Sequence, residues 1–126
     1  MNKSLQKVIL KPTNSIEEAI KVINTEKPRI VLVTNKKNEL VGTVTDGDIR
    51  RALLKHLPLS HEISNIMCTS PKTALDKLNK NEVFKIMKGL SLSHMPIVDD
   101  KGLLVGVETI HSLTSLDKTN NNMVVI

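Results

Sequence analysis

The chain has 126 residues and a formal net charge of +5, and its content of 40% hydrophobic and 25% charged residues is ordinary for one compact domain or two small subdomains sharing a core. Phe84 is the single residue among Phe, Tyr and Trp, so the core must consist of Ile, Leu, Val and Met. Because aromatic stacking platforms are missing and the basic residues are scattered, the composition argues against nucleic-acid binding.

The first predicted elements are an edge strand around Val8 to Leu10 and an amphipathic helix. Ser15, with Glu18 three residues later, forms a capping-box signature at the start of this helix. The apolar residues that follow share one helical face: Ile16, Ala19, Ile20 and Ile23. Pro28 closes the helix, because proline cannot continue it.

Two strands, a turn and a second helix follow. Residues 29–34, RIVLVT, are apolar and β-branched as expected for a buried strand, and the polar NKKNE at 35–39 predicts a turn. LVGTVT at 40–45 is the next strand, and DIRRALLK at 48–55 is a helix. These elements form one structural unit.

The second half of the chain repeats this unit at a spacing of 64 residues, which aligns Gly106 with Gly42. VLVTNKKNELVGTVT from Val31 matches MPIVDDKGLLVGVET from Met95 without a gap. The same spacing aligns AIKVI with VFKIM. Identity is modest, but the apolar pattern agrees throughout, so the sequence predicts two copies of one unit.

A linker joins the two units. It reads LPLSHEISNIMCTSPKT at 57–73, and its apolar residues are spaced to pack as it crosses over: Ile63, Ile66 and Met67. The second unit is predicted to have a helix with its C-cap near Gly89, strands MPIVD and LLVGVE joined by a turn at 99–102, and a short helix from Ile110.

We predict an α/β (α+β) fold in which two β-α-β-β-α repeats pack about a pseudo-twofold axis. A lone copy would bury little, because each short sheet has only one layer of helices, and packing two copies together covers both sheet faces. The predicted boundaries are 1–57 for the first repeat, 58–68 for the linker, 69–117 for the second repeat and 118–126 for a further linker with the start of a following domain.

Several classes of function lack the residues they need. The histidines have no paired metal-ligand spacing, and no Ser/His/Asp or Cys/His set is visible, so we expect no metal site and no catalytic site. The lone Cys68 fits a reducing compartment. No apolar run approaches the roughly 20 residues of a membrane span, and the N-terminus lacks a signal-peptide pattern, so a cytoplasmic protein is predicted.

Three stretches together resemble a tandem pair of cystathionine-β-synthase (CBS) domains, a Bateman module, over roughly residues 8–116. They are the strand–turn–strand that ends in Gly-x-x-Thr-x-x-Asp, the I-x-x-I-M linker entry and the M-P-I-V-D strand. The resemblance implies a regulatory module that forms homodimers through the helices following each motif. It also implies that AMP, ATP or an S-adenosyl ligand such as S-adenosylmethionine binds in clefts between the copies, with no resident cofactor.

The first cleft would be built around Thr45 and Asp48. Thr45 lies where a strand ends and a helix begins, so its hydroxyl and nearby N–H groups can face a phosphate. Asp48 can accept both ribose hydroxyls with its two carboxylate oxygens. The resemblance implies further cleft residues from both copies: Thr43, Leu92, Ser93 and His94. The alternative is that Thr45 and Asp48 only cap the helix.

The second cleft departs from the family pattern. At the spacing of 64 residues Asp48 becomes Ser112, so Thr109-x-x-Ser112 lacks the carboxylate. Lys27 and Arg29, before the first copy's strand, are candidates for phosphate contacts in this cleft, or are simply exposed. We expect one competent site and one that is weak or empty.

The C-terminus suggests a larger protein. After DKTNNN at 117–122 the chain ends in MVVI, an apolar segment that resembles the opening strand of a further domain. A CBS pair followed by such a strand resembles the N-terminal region of bacterial sugar-phosphate nucleotidyltransferases, which implies a regulatory role in that enzyme. The alternatives are a frayed or docked tail, and a stand-alone adaptor that regulates a separate partner.

Overall fold

The computed structural model describes residues 3–26 and 28–110, and its elements form two similar series. The first series is helix α1 (Lys3–Gln6), strand β1 (Ile9–Leu10), helix α2 (Ile16–Thr25), strands β2 (Val31–Thr34) and β3 (Leu40–Val44), and helix α3 (Asp46–Leu54). After a 3₁₀ turn at Ile63–Asn65, the second is β4 (Ala74–Leu75), α4 (Lys80–Leu90), β5 (His94–Val98) and β6 (Leu104–Thr109). The helix predicted after Ile110 and the C-terminal MVVI lie outside the described residues.

Each series forms a three-stranded sheet with the same topology. β1 runs parallel to β2, which pairs antiparallel with β3, and β4, β5 and β6 repeat this arrangement. Leu10 pairs with Val33, and Ala74 pairs with Ile97 at the corresponding place. Both sheets also shift register at the equivalent step of the central strand. The predicted α/β fold of two repeats is therefore confirmed.

The equivalent helices α2 and α4 each begin with a reciprocal capping box. In α2 the Ser15 N–H donates to Glu18 Oε1 at 2.9 Å and the Glu18 N–H donates to Ser15 Oγ at 3.2 Å. In α4 Asn79 and Glu82 make the same pair of bonds at 2.9 and 2.8 Å. The Ser15 N–H bond is the main cause of a lowered pKa at Glu18. The sequence predicted the first box, and the second follows from the repeat.

The predicted C-cap at Gly89 is wrong. α4 continues to Leu90, and Ser91 takes the left-handed conformation with φ of 57°. The Leu92 N–H donates to the Met87 carbonyl at 2.9 Å, and Leu92 packs on the core cluster that contains Met87. The helix therefore ends at a left-handed residue that is followed by a partly buried leucine. A pattern of glycines does not reveal this contact.

The two sheets meet at their turns about a pseudo-twofold axis. The Leu40 N–H donates to the Gly102 carbonyl at 3.2 Å, and the equivalent Leu104 N–H donates to the Asn38 carbonyl at 3.0 Å. Asn38 and Gly102 occupy matching turn positions, both with positive φ, 66° and 85°. Exchanging the copies therefore maps each of these bonds onto the other.

The core is continuous across the repeats. Leu104 of the second sheet is buried in a cluster with residues of the first series: Leu5, Val8, Ile30 and Leu32. The linker also contributes as predicted. Ile63 is fully buried in a second cluster, which includes Ile16 and Val44, and Ile66 and Met67 pack against that cluster. The copies therefore share apolar contacts, and the cleft between them has defined walls.

Candidate functional site

The junction of β3 and α3 forms one wall of a cleft. Thr45 is the N-cap residue of α3, with φ of −120° and ψ of 175°, and α3 begins at Asp46. The Thr45 N–H and Oγ1 donate to Asp48 Oδ2 at 2.9 and 3.1 Å. Asp48 is largely buried, with 11% of its side chain exposed. The cap predicted as the alternative is present, and the same two residues line the cleft.

A second partner holds the other oxygen of Asp48. Arg51 Nη2 lies 2.5 Å from Asp48 Oδ1, one turn further along α3, and 66% of the Arg51 side chain is exposed. This cation was not among the predicted site residues. Its position three residues after the aspartate is the sequence signal, because residues at that spacing are neighbours on a helix.

The linker forms the floor of the cleft. The Thr43 N–H donates to the Cys68 carbonyl at 3.1 Å, and the Cys68 N–H donates to the Thr43 carbonyl at 2.8 Å. This pairing brings the segment after Cys68 alongside β3, so that Ser70, Pro71 and Lys72 line the cleft. Sequence reasoning missed Lys72, because the linker pattern does not reveal which of its side chains face a cavity.

The second repeat supplies the opposite wall. His94 opens β5, and Ser93 precedes it, where its carbonyl accepts the Ile110 N–H at 3.0 Å. His94 is partly buried, and this burial lowers the pKa of its imidazole. A neutral imidazole in this position can donate one hydrogen bond from whichever nitrogen carries the proton.

Together these walls enclose about 620 Å³, within the range of small-molecule sites. The cleft brings together all six residues predicted for it: Thr43, Thr45, Asp48, Leu92, Ser93 and His94. Residues separated by some 50 positions in sequence thus face one space, because the two copies pack about their pseudo-twofold axis.

Arg29, which was predicted for the second cleft, lines the first cleft. Its guanidinium lies 3.7 Å from the exposed Asp46 carboxylate, and its role in the second cleft remains a prediction. The cause of its position in the first cleft is the antiparallel pairing of β2 with β3, which places the start of one strand beside the end of the other through the pair Val31 and Val44. Sequence spacing alone does not reveal this proximity.

The second predicted site is described only in part. Thr109 ends β6 and is opposite His94 in the strand register. Lys27 and Ser112 lie outside the described residues. Their predicted roles in the second cleft remain predictions.

Within residues 3–26 and 28–110, no cluster of His, Cys, Asp and Glu could hold a metal ion. Among the same residues no helix is long and apolar enough to cross a membrane. Cys68 is a free, exposed thiol.

The protein is a tandem-repeat module. Its two α/β units share a core, and a cleft lies between them at a helix N-terminus. The family model for the CBS domain matches residues 1–55 and 63–115. The chain therefore belongs to the CBS domain family, as a tandem pair. The family match does not show the predicted link to a nucleotidyltransferase, which remains a prediction.

Curated relatives include proteins of known and unknown activity. An uncharacterized protein of Rickettsia prowazekii is 33% identical over 102 residues, which are 81% of this chain and 31% of that protein. Arabinose 5-phosphate isomerase of Francisella tularensis is 31% identical over 127 residues, covering 93% of this chain and 36% of the isomerase. The chain therefore spans about a third of the length of these relatives.

Solved structures of CBS pairs have the same fold. CBSX2 in complex with AMP superposes with a TM-score of 0.78 at 21% identity, covering 89% of this chain and 87% of that one. The CBS domain pair of protein MJ0100, in complex with 5′-methylthioadenosine and S-adenosyl-L-methionine, has a TM-score of 0.78 at 25% identity and covers 90% of each chain.

Proposed function

We propose that the cleft binds an adenine nucleotide or an S-adenosyl ligand and that the protein is a regulatory, ligand-sensing module. The single observation that carries this proposal is the position of Thr45 and Asp48 at the N-terminus of α3, facing His94 across a cleft of about 620 Å³. The ligands named for CBSX2 and MJ0100 are adenine compounds, which supports the choice of ligand class.

In the proposed complex Asp48 binds the ribose and Thr45 binds a phosphate. Without ligand, the Thr45 hydroxyl donates to Asp48 Oδ2. When a phosphate accepts that hydroxyl instead, one lone pair on Oδ2 becomes free for a ribose hydroxyl. Adenine has room beside the apolar lining residues: Ile30, Pro71, Leu92 and Pro96. A set of aromatic rings is therefore not required.

Binding would regulate by joining the two copies. A ligand held by Asp48 of one copy and His94 of the other favours the relative arrangement in which both contacts form. The second cleft lacks the carboxylate at Ser112, so we propose one competent site per chain, with Thr109 and Lys27 serving at most a weaker one. A cytoplasmic location belongs to the same proposal.

The regulated activity is proposed to lie in an attached domain, a sugar-phosphate nucleotidyltransferase. The relatives' greater length favours a module within a larger protein, and they include an isomerase of a sugar phosphate. The second candidate is a stand-alone adaptor that regulates a separate partner. The coding sequence beyond Ile126 distinguishes them: a glycine-rich nucleotide loop supports the first, and a stop codon supports the second.

Isothermal titration calorimetry with AMP, ATP and S-adenosylmethionine tests the binding site. We expect one ligand per chain, and we expect Asp48→Asn to weaken affinity about tenfold or more, because it removes a charge-assisted acceptor while keeping the side-chain shape. Asp100→Asn is the matched control, since this exposed turn residue makes the same charge change outside the cleft.

Two results would contradict the proposal. One is that none of the three compounds binds the unmodified protein. The other is that Asp48→Asn, with an unchanged thermal melt, binds as tightly as the Asp100→Asn control.

A further inference from the structure

Asp48, which lines the cleft, forms an ion pair that the proposed ligand contacts do not explain. Asp48 is an anion in a site meant for an anionic ligand, and Arg51 forms an ion pair with it at 2.5 Å. The guanidinium reaches back along α3 and passes over Gly47, where an added Cβ would lie 3.4 Å from Arg51 Nη1. Arg51 therefore lies against two residues that line the cleft, Gly47 and Asp48, although it does not line the cleft itself.

The hydrogen-bond capacity of Asp48 allows Arg51 to stay when a ligand binds. Oδ2 accepts the N–H and the hydroxyl of Thr45, and Oδ1 accepts Arg51. A carboxylate has about four acceptor positions, so Oδ1 retains one. Once the Thr45 hydroxyl turns to a phosphate, Asp48 has one free position on each oxygen. Both ribose hydroxyls can then bind without displacing the guanidinium.

The charge balance of the cleft depends on Arg51. Arg29 and Asp46 offset each other in the cleft wall. Lys72 remains as a cation, and Asp48 would cancel it if Asp48 were unpaired. With Arg51 on Asp48 the site keeps one positive charge, whereas without it the site is neutral. Burial lowers the pKa of His94, so the imidazole adds no fixed charge near neutral pH.

We propose that Arg51 is a specificity-determining residue, which neutralises Asp48 and thereby makes the cleft prefer a phosphorylated adenine nucleoside over the unphosphorylated nucleoside. This inference rests on the proposed function, because it concerns the selectivity of the same site. Arg51 acts through Asp48 and through the electrostatic potential of the cleft, and it need not touch the ligand.

Calorimetric titration of AMP and adenosine into four proteins tests this role: the unmodified chain, Arg51→Ala, Arg51→Lys and Arg50→Ala. Since 66% of the Arg51 side chain is exposed, solvent screens its charge, and we expect Arg51→Ala to weaken AMP about three- to fivefold and adenosine less than twofold. Arg51→Lys should retain most of the AMP preference. Arg50→Ala removes the same charge from the neighbouring exposed position and should leave both affinities unchanged.

Ionic strength gives a second readout. AMP affinity of the unmodified chain should fall more steeply with added salt than that of Arg51→Ala, because one cation of the site is missing in the variant. An equal loss of AMP and adenosine affinity in Arg51→Ala would mean that Arg51 only supports the helix, and it would overturn the inference. Tighter AMP binding by Arg51→Ala would also overturn it, since Arg51 would then compete with the ligand.

The two proposals can fail separately. If the unmodified chain binds AMP but the AMP preference is the same in Arg51→Ala, only the role of Arg51 is wrong. If the unmodified chain binds S-adenosylmethionine but neither AMP nor ATP, the role of Arg51 is also wrong while the proposed function stands. If it binds none of AMP, ATP, S-adenosylmethionine and adenosine, the proposed function is wrong and the role of Arg51 falls with it.

Discussion

Gly42 illustrates how one residue can fix the floor of the cleft. An added Cβ there would lie 2.7 Å from Met67 Sδ and 2.9 Å from the Cys68 carbonyl oxygen. Met67 has a flexible side chain, but the Cys68 backbone is held by its two hydrogen bonds to Thr43. We expect Gly42→Ala to lower the free energy of unfolding by about 1–3 kcal/mol, because the linker must move away from β3.

The matched control for this prediction is Gly106, the equivalent glycine of the second repeat. Within the described part of the chain, an added Cβ there would meet nothing closer than the Ile97 Cβ at 4.0 Å, an ordinary contact. Urea denaturation of Gly42→Ala and Gly106→Ala measures the difference directly. Equal effects at the two positions would show that close approach by the linker is not what requires a glycine at 42.

Local pattern predicted some site residues and missed others, for a physical reason. Thr45 and Asp48 follow from a strand end and a helix start within four residues, so the sequence identifies them as either cap or ligand group. Lys72 and Arg29 enter the cleft through pairings between distant segments, the Thr43–Cys68 bridge and the β2–β3 ladder. A sequence pattern carries no signal for such proximity unless both strands and their register are known.

At the scale of elements, we expect the stability of each repeat to depend on the N-cap of its longer helix, α2 or α4. Ser15→Ala removes the acceptor for the Glu18 N–H, and Asn79→Ala removes the equivalent acceptor for the Glu82 N–H. Each substitution should lower the free energy of unfolding by about 1 kcal/mol, the usual cost of losing an N-cap side chain. Urea denaturation followed by circular dichroism measures both.

Exposed serines elsewhere provide the control for the capping prediction. Ser60→Ala changes a serine that lies in the linker outside any described helix, and it should leave the urea midpoint within error of the unmodified chain. If Ser15→Ala also leaves the midpoint unchanged, the capping box contributes nothing to stability.

The elements were predictable to the extent that their signals are local. The capping box, the apolar helical face and the β-branched strands gave α2, β2 and β3 nearly at their observed bounds, and the repeat transferred them to α4, β5 and β6. β4 spans only Ala74–Leu75, too short for a periodic pattern, and it forms because β5 offers an edge to pair with. The end of α4 depends on where Leu92 is buried, which is a tertiary contact.

At the scale of the whole molecule, symmetry and asymmetry have different origins. The backbone follows the pseudo-twofold closely, because both repeats use the same turn, register shift and capping positions. The differences lie in side chains, such as Asp48 against Ser112, and in the linker, which packs on Gly42, whereas none of the described residues lies tight against Gly106. The two copies therefore share a backbone arrangement while they differ in the side chains at the predicted site positions.

Self-association through α3, which the resemblance to CBS pairs implies, remains a prediction. Leu53 and Leu54, in the last turn of α3, are 50% and 72% exposed. Burying such apolar side chains against a second copy would favour association. The cleft uses only the first turn of this helix, so a dimer formed at the last turn would leave Asp48 accessible.

We expect the unmodified chain to be a dimer and Leu54→Glu to weaken dimerisation at least about tenfold, because a buried unpaired carboxylate opposes association. Sedimentation equilibrium over a range of concentrations measures this, with Leu59→Glu as control, a linker leucine that is 40% exposed and outside α3. A monomeric unmodified chain, or equal weakening by both substitutions, would exclude α3 as the contact surface.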